Sequence, residues 1–353
     1  MPSKLKKEEM VSWYEKHEFF LSLACFLIFL VLIWLFFENP TIQEKIQTCG
    51  DWTFYTICSV TKPYYCVNGS LIEKATVCDC LESKERLGDS CITDLQTEPK
   101  NLALKYIVDG EEKTLDFTVY KGLADHLSVL PQGISYVNGQ KPSRADFSLK
   151  KINEEEQSKL LLPLVVEMQN LYPDDKVDQA RIAISLVQNL QYGFSNKTEN
   201  FFGNKVNYSR YPYEVLYESQ GICGEKSELL AFLLRKIGYG VVLFYNQEEN
   251  HESSGIKCPI EESYRGTGYC FVETTGPSII TDDSIEYVGG IKLESEPEII
   301  FIFDGESLPE NIPEYKDAET MKRIRQGKFV LFASSKLENL KEKYGLVEEY
   351  NPA

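Results

Sequence analysis

The sequence predicts an α+β ectodomain on a membrane stem, and three observations predict it. Phe19 to Phe37 reads FFLSLACFLIFLVLIWLFF, 19 residues without a charge. Six cysteines crowd the 43 residues from Cys49 to Cys91. Beyond them, apolar residues recur at helical spacing in some segments and alternate with period two in others. Hydrophobic residues make up 43% of the 353, enough for a packed core.

The uncharged run is long enough to cross a bilayer as a helix, with Trp34 near one end as an interfacial aromatic. Lys4, Lys6, Lys7 and Lys16 precede it, and Lys45 alone follows closely. That asymmetry puts residues 1–18 in the cytoplasm, 19–37 in the membrane and the body outside the cell. A cleaved signal peptide is the alternative. The run is too long for a signal core, and ENPTIQE offers no small-residue cleavage site. Net charge is −17, and the four lysines and four glutamates of the first 37 residues cancel. All the excess negative charge therefore follows the span. Such a body is repelled by phosphate backbones, which excludes a nucleic-acid partner.

Residues 38–48 read as a stalk and 49–94 as a disulfide-rich module. Cys49, Cys58, Cys66, Cys78, Cys80 and Cys91 are its bridge candidates; outside the membrane they would staple a segment too small for its own core. Their pairing is open. A zinc site would want C-x-x-C knuckles, and none occurs. Cys258 and Cys270, flanking a loop, are further disulfide candidates. Asn68-Gly69-Ser70, Asn196-Lys197-Thr198 and Asn207-Tyr208-Ser209 are glycosylation sequons compatible with an external body.

LALKYIVDGEEKTLDFTVY reads as two strands around an Asp109-Gly110 turn, inside a small β-rich subdomain over 99–150. PLVVEMQNLY starts a helix at Pro163, and Asp174 and Asp175 can cap the next, where Val177, Ala180, Ile184 and Val187 form a stripe. The main domain runs over 151–290. Strand candidates VVLFY (241–245), EIIFIF and FVLFA, with a final helix KLENLKEKYG, complete the core; the last two strands and the helix fall within 291–353.

The chemistry centres on Gly221-Ile222-Cys223-Gly224-Glu225-Lys226. Leu230, Leu233, Leu234 and Ile237 follow at helical spacing, and Gly238 suits a stop. Cys223 therefore sits at a helix N-terminus, where unpaired N–H groups favour an anion, and thiolate is the reactive form. His251 can take its proton and return it to a leaving group. Glu273 can orient the imidazole, with Asp282 and Asp283 as fallback acids. A direct Cys258–Cys270 pairing across a regular hairpin would put Glu273 opposite Gly255, too far along for a hydrogen bond to His251, so a bulge or irregular strand end must close the gap.

These residues resemble the transglutaminase-like superfamily, with a papain-like core. Its pattern is Gly-x-Cys at a helix start, a histidine on a strand, then an acid in an Asp-x-Thr setting on the next strand. Gly221-Ile222-Cys223, His251 and Glu273-Thr274-Thr275 fall on those positions, with Glu in place of Asp. The wording YPYEVLYESQGICGEKSELLAFLLRKIGYG is similar to archaeal membrane-associated members. The resemblance covers roughly Glu154 to Pro277. It implies a cysteine helix packed on an antiparallel sheet, and an oxyanion hole partly from the Cys223 N–H; Gln188, Gln191 and Tyr211 are candidates for its second donor. It implies a cysteine acyltransferase or protease acting on amide bonds of a protein or peptide. No metal site is evident in the sequence, and no cofactor is expected. The competing readings are a surface module that keeps the fold to bind peptides or glycans, and a wall-polymer amidase.

Overall fold

The computed structural model describes residues 47–346 and Phe29, apart from 83, 138, 202, 203 and 285–291. The expected tail, span and most of the stalk, with Cys25, lie outside the described residues, Phe29 excepted. Among the described residues no helix is long and apolar enough to cross a membrane.

The cysteine-rich segment is two short hairpins, β1 (Tyr64–Val67) with β2 (Ser70–Glu73) and β3 (Glu85–Leu87) with β4 (Ser90–Ile92), joined by a helical turn, α1 (Ala75–Cys78). Disulfides Cys49–Cys66, Cys58–Cys78 and Cys80–Cys91 staple it. Its apolar cluster is only Cys49, Tyr64, Cys66 and Leu71, closed by Val166 of a later helix. Asn170 of that helix completes the attachment. Its side chain accepts from the Leu71 N–H (2.7 Å) and donates to the Leu71 carbonyl (3.0 Å).

β5 (Pro99–Val108) and β6 (Glu111–Tyr120) form one long antiparallel hairpin. Asp109 and Gly110 both have positive φ (52° and 77°), the turn that matches strand twist. Leu102, Leu104, Tyr106, Leu115, Phe117 and Val119 alternate inward. The stretch 99–150 is not β-rich beyond this hairpin. It continues as α2 (Lys121–Ser128) and α3 (Arg144–Ile152), and the hairpin's apolar face joins the main core. Ten-residue strands bury too much on one face to stand alone.

α4 (Glu155–Leu171) begins two turns before Pro163. Glu154 caps it, its carboxylate accepting from the N–H groups of Glu156 (3.1 Å) and Gln157 (2.7 Å). Pro163 then lies inside the helix and cannot donate to the Lys159 carbonyl. The Lys84 ammonium donates to that carbonyl at 3.2 Å. α5 (Lys176–Gln188) starts on Asp175, the N-cap, whose carboxylate accepts from the Val177 and Asp178 N–H groups.

Two short ribbons follow α5: β7 (Gln191–Tyr192), and β8 (Thr198–Phe201) with β9 (Asn204–Asn207). After α6 (Pro212–Glu218), β10 (Gln220–Gly221) pairs in parallel with β7 and runs directly into α7 (Cys223–Ile237). Leu229 to Leu234 of α7 are wholly buried. A helix apolar on all sides must be central; α7 packs on α5 and α6 and against a four-stranded antiparallel sheet. The sheet comprises β11 (Val241–Asn246), β12 (His251–Lys257), β13 (Tyr269–Val272) and β14 (Glu298–Phe303), in the order β13-β12-β11-β14. α8 (Pro313–Arg325) and α9 (Ala333–Tyr344) end the described chain. FVLFA is not a strand. Phe329 and Phe332 are 82% and 74% exposed with no strand partner among the described residues, and Phe332 adopts φ 57° ahead of α9.

Candidate active site

Three sequence-distant side chains meet at the start of α7. Cys223 is its first residue, half-buried and unbridged. Glu225 closes the helix entrance: its carboxylate accepts from the Ile222 N–H (3.1 Å), the Arg210 N–H (2.9 Å) and the Arg210 guanidinium (2.9 Å). The Cys223 N–H is one of the helix-end donors that has no acceptor within the helix.

His251 opens β12 and is buried. Its Nε2 lies 2.9 Å from Glu273 Oε2, and its ring also hydrogen-bonds the Cys223 side chain. With Nε2 committed to the carboxylate, Nδ1 is left for sulfur. Glu273 follows the end of β13 and is wholly buried. Its Oε1 accepts from the N–H groups of Thr274 (2.9 Å) and Thr275 (2.8 Å) and from the Thr275 hydroxyl (2.8 Å). Thr274 in turn bonds the Ser227 hydroxyl (3.0 Å) and the Cys223 carbonyl (3.4 Å), tying the acid's segment to α7.

The register brings the acid to the base. Ile256 pairs with Cys270 and Lys257 with Tyr269, two residues from a direct Cys258–Cys270 pairing. The Cys258–Cys270 disulfide is therefore diagonal across the hairpin. Continued one residue beyond Val272, this register sets Glu273 opposite Ser253. His251 is then the diagonal neighbour on the same face. No bulge is needed.

Burial opposes charge on both partners, and the pair overcomes it. The Glu273 carboxylate and the Cys223 contact hold the His251 imidazolium up to about 10. The imidazolium and the Thr275 donors hold the Glu273 carboxyl well below the usual carboxylate range. The site is thus built to keep a proton on the ring and a charge on the acid.

Asp282 is turned to Arg325 (2.5 Å) and Asp283 to Lys322 (2.8 Å), so neither serves as acid here. Gln188 is not an oxyanion donor: its amide donates to the Glu273 (2.9 Å) and Ser278 (3.2 Å) carbonyls. Tyr211 is buried at the entry to α6. Tyr192, not singled out in the sequence, lies on the strand beside the Cys223 segment. It pairs with Gly221, two residues before Cys223. Burial, then the charges of Cys223 and Glu273, push its hydroxyl up to about 12. Gln191, its neighbour on β7, is exposed. The signal available was adjacency in a two-residue parallel bridge, which no local pattern encodes.

Cys223 also lines a cleft of ≈ 610 Å³, whose walls include Arg144, Asn207, Glu228, Tyr245 and Glu252. Glu252 is nearly buried; burial, then Glu228, push its carboxyl up to about 7, against Arg144 at 3.7 Å. The sequon asparagines Asn68, Asn196 and Asn207 are all exposed.

No protein-family model matches the chain. No curated protein matches it. Among solved structures it is similar to LapG of Legionella pneumophila, at 14% identity and TM-score 0.23, over 38% of this chain and 75% of that one. It is similar also to the calcium-bound form of the same protein, at 14% identity and TM-score 0.25, over 51% and 98%. These likenesses are shallow, and the chemistry rests on the geometry of Cys223, His251 and Glu273.

Proposed function

We propose that the protein is a cysteine acyl-transfer enzyme of the transglutaminase-like superfamily, acting on amide or peptide bonds. One observation carries this reading: a free thiol at a helix N-terminus touches an imidazole whose far nitrogen is fixed by a buried carboxylate. That is the arrangement an activated nucleophile requires.

Cys223 sulfur, its proton held on His251, attacks the carbonyl carbon. The developing oxyanion faces the Cys223 N–H and the Tyr192 hydroxyl. The imidazolium gives its proton to the departing amine, leaving a thioester on Cys223. Water or an amine then gives a proton to His251 as it attacks, and the sulfur departs. Glu273 stays anionic throughout. Four disulfides in the body and the apolar run at 19–37 support a membrane-anchored, extracytoplasmic setting, with protein or peptide as substrate. The sequons support glycosylation there.

The test is acetylation by p-nitrophenyl acetate, followed by mass spectrometry. The expected result is one acetyl group on Cys223 of the wild type, released on standing and faster with hydroxylamine. Cys223→Ala should take up none and melt at the same temperature. A wild-type sulfur no more reactive than free cysteine would leave the binding-module reading in its place.

A further inference from the structure

Lys226 lies one turn into α7 from Cys223 and is wholly buried. A lysine with no exposure is uncommon and must be compensated. Among the described residues no carboxylate pairs with it. Its ammonium donates instead to three main-chain carbonyls: Leu190 (2.7 Å), Thr275 (3.3 Å) and Gln188 (3.4 Å). Each belongs to a segment that carries part of the site. Leu190 leads into the ribbon of Tyr192. Thr275 is a donor to Glu273. Gln188 reaches back to the Glu273 and Ser278 carbonyls. The lysine itself is on the helix of Cys223.

The motif glycine belongs to this arrangement. A Cβ on Gly221 would stand 3.1 Å from Lys226 Cγ and 3.1 Å from Val215 Cγ1. Glycine at that position gives the lysine stem room to pass.

We propose that Lys226 is a positioning residue that acts through Glu273: its ammonium, held by the Gln188, Leu190 and Thr275 carbonyls, is the second counter-charge of the buried carboxylate. The inference rests on the acyl-transfer reading. Its consequence falls on one step. While His251 is protonated, Glu273 has an imidazolium partner. Once that proton goes to the leaving group, the buried carboxylate faces a neutral ring, and Lys226 is the positive charge that remains. Proton donation should therefore depend on Lys226 more than sulfur attack does. Burial lowers the Lys226 ammonium to about 7 against the pull of Glu273, so the test is run at pH 6, where it is charged.

Two acetyl donors separate the steps on the full chain. p-Nitrophenyl acetate has a leaving group that needs no proton, whereas 2,2,2-trifluoroethyl acetate has one that does. In Lys226→Met, acetylation of Cys223 by the first should stay within about threefold of wild type, and by the second fall about tenfold or more, as for loss of a general acid. Lys226→Arg should recover part of the second rate. Equal losses with both esters, or no loss with either, would overturn the proposal. If Lys226→Met does not fold, Gly221→Ala, which crowds the lysine stem, should show the same split. A wild-type sulfur inert to both esters overturns the acyl-transfer reading, and this inference with it.

Discussion

Glu273→Gln removes one charge from the site and leaves most of its hydrogen bonds. The glutamine carbonyl can still accept from Thr274 and Thr275, which now hold Oε1. Its NH2 then faces His251 Nε2 at the 2.9 Å where a carboxylate oxygen stood. Two N–H groups cannot share that line, so Nε2 must become an acceptor and the imidazolium loses its place. Holding an imidazole from 6.5 up to about 10 is worth about 5 kcal/mol of preference for the charged ring. Cys223 supplies a share, which leaves roughly 3–4 kcal/mol to Glu273, or about two to three decades in rate. The chain has only three histidines, His17, His126 and His251, so their Cε1–H resonances can be followed singly by NMR. In Glu273→Gln, the His251 midpoint should fall by about two to three pH units from about 10, because Cys223 alone then opposes burial. Alkylation of Cys223 by iodoacetamide at pH 6 should slow by about a hundredfold or more. A ring that stays protonated above about pH 8 in the variant would refute the assigned role of the acid.

Two further outcomes follow from the geometry. Tyr192→Phe should lower acetylation of Cys223 by about tenfold to a hundredfold without moving the melting temperature; an unchanged rate would remove Tyr192 from the oxyanion hole. Glu252 has its folded-state carboxyl raised from 4.5 to about 7, so the fold favours its protonated form. That stability is full below pH 4.5 and is lost as pH rises to about 7, on the order of 3 kcal/mol. Glu252→Gln should flatten this slope in denaturant titrations; equal slopes in both proteins would show that the carboxyl ionises freely.

Local signals carried far in this chain. The helix of Cys223, its Gly238 stop and the Asp109-Gly110 hairpin depend on residues within a turn or two of each other, so composition and period reveal them. The order of the candidate Cys, His and acid was legible only through the resemblance carried by Gly221-Ile222-Cys223, His251 and Glu273-Thr274-Thr275. Pro163 misled because a helix can absorb a proline when a distant donor, here Lys84, takes the freed carbonyl. FVLFA misled because strand composition makes no strand without a partner.

The sequence by itself determined which elements form and which residue types lie at their ends, since caps, turns and periodicity act over a few residues. Only tertiary structure decided the two-residue register that sets Glu273 beside His251, the pairing of the half-cystines, the turn of Gln188 away from the sulfur, and the burial of Lys226. Each of those is a contact between segments far apart in the chain, selected by how whole faces pack, and no local pattern contains it.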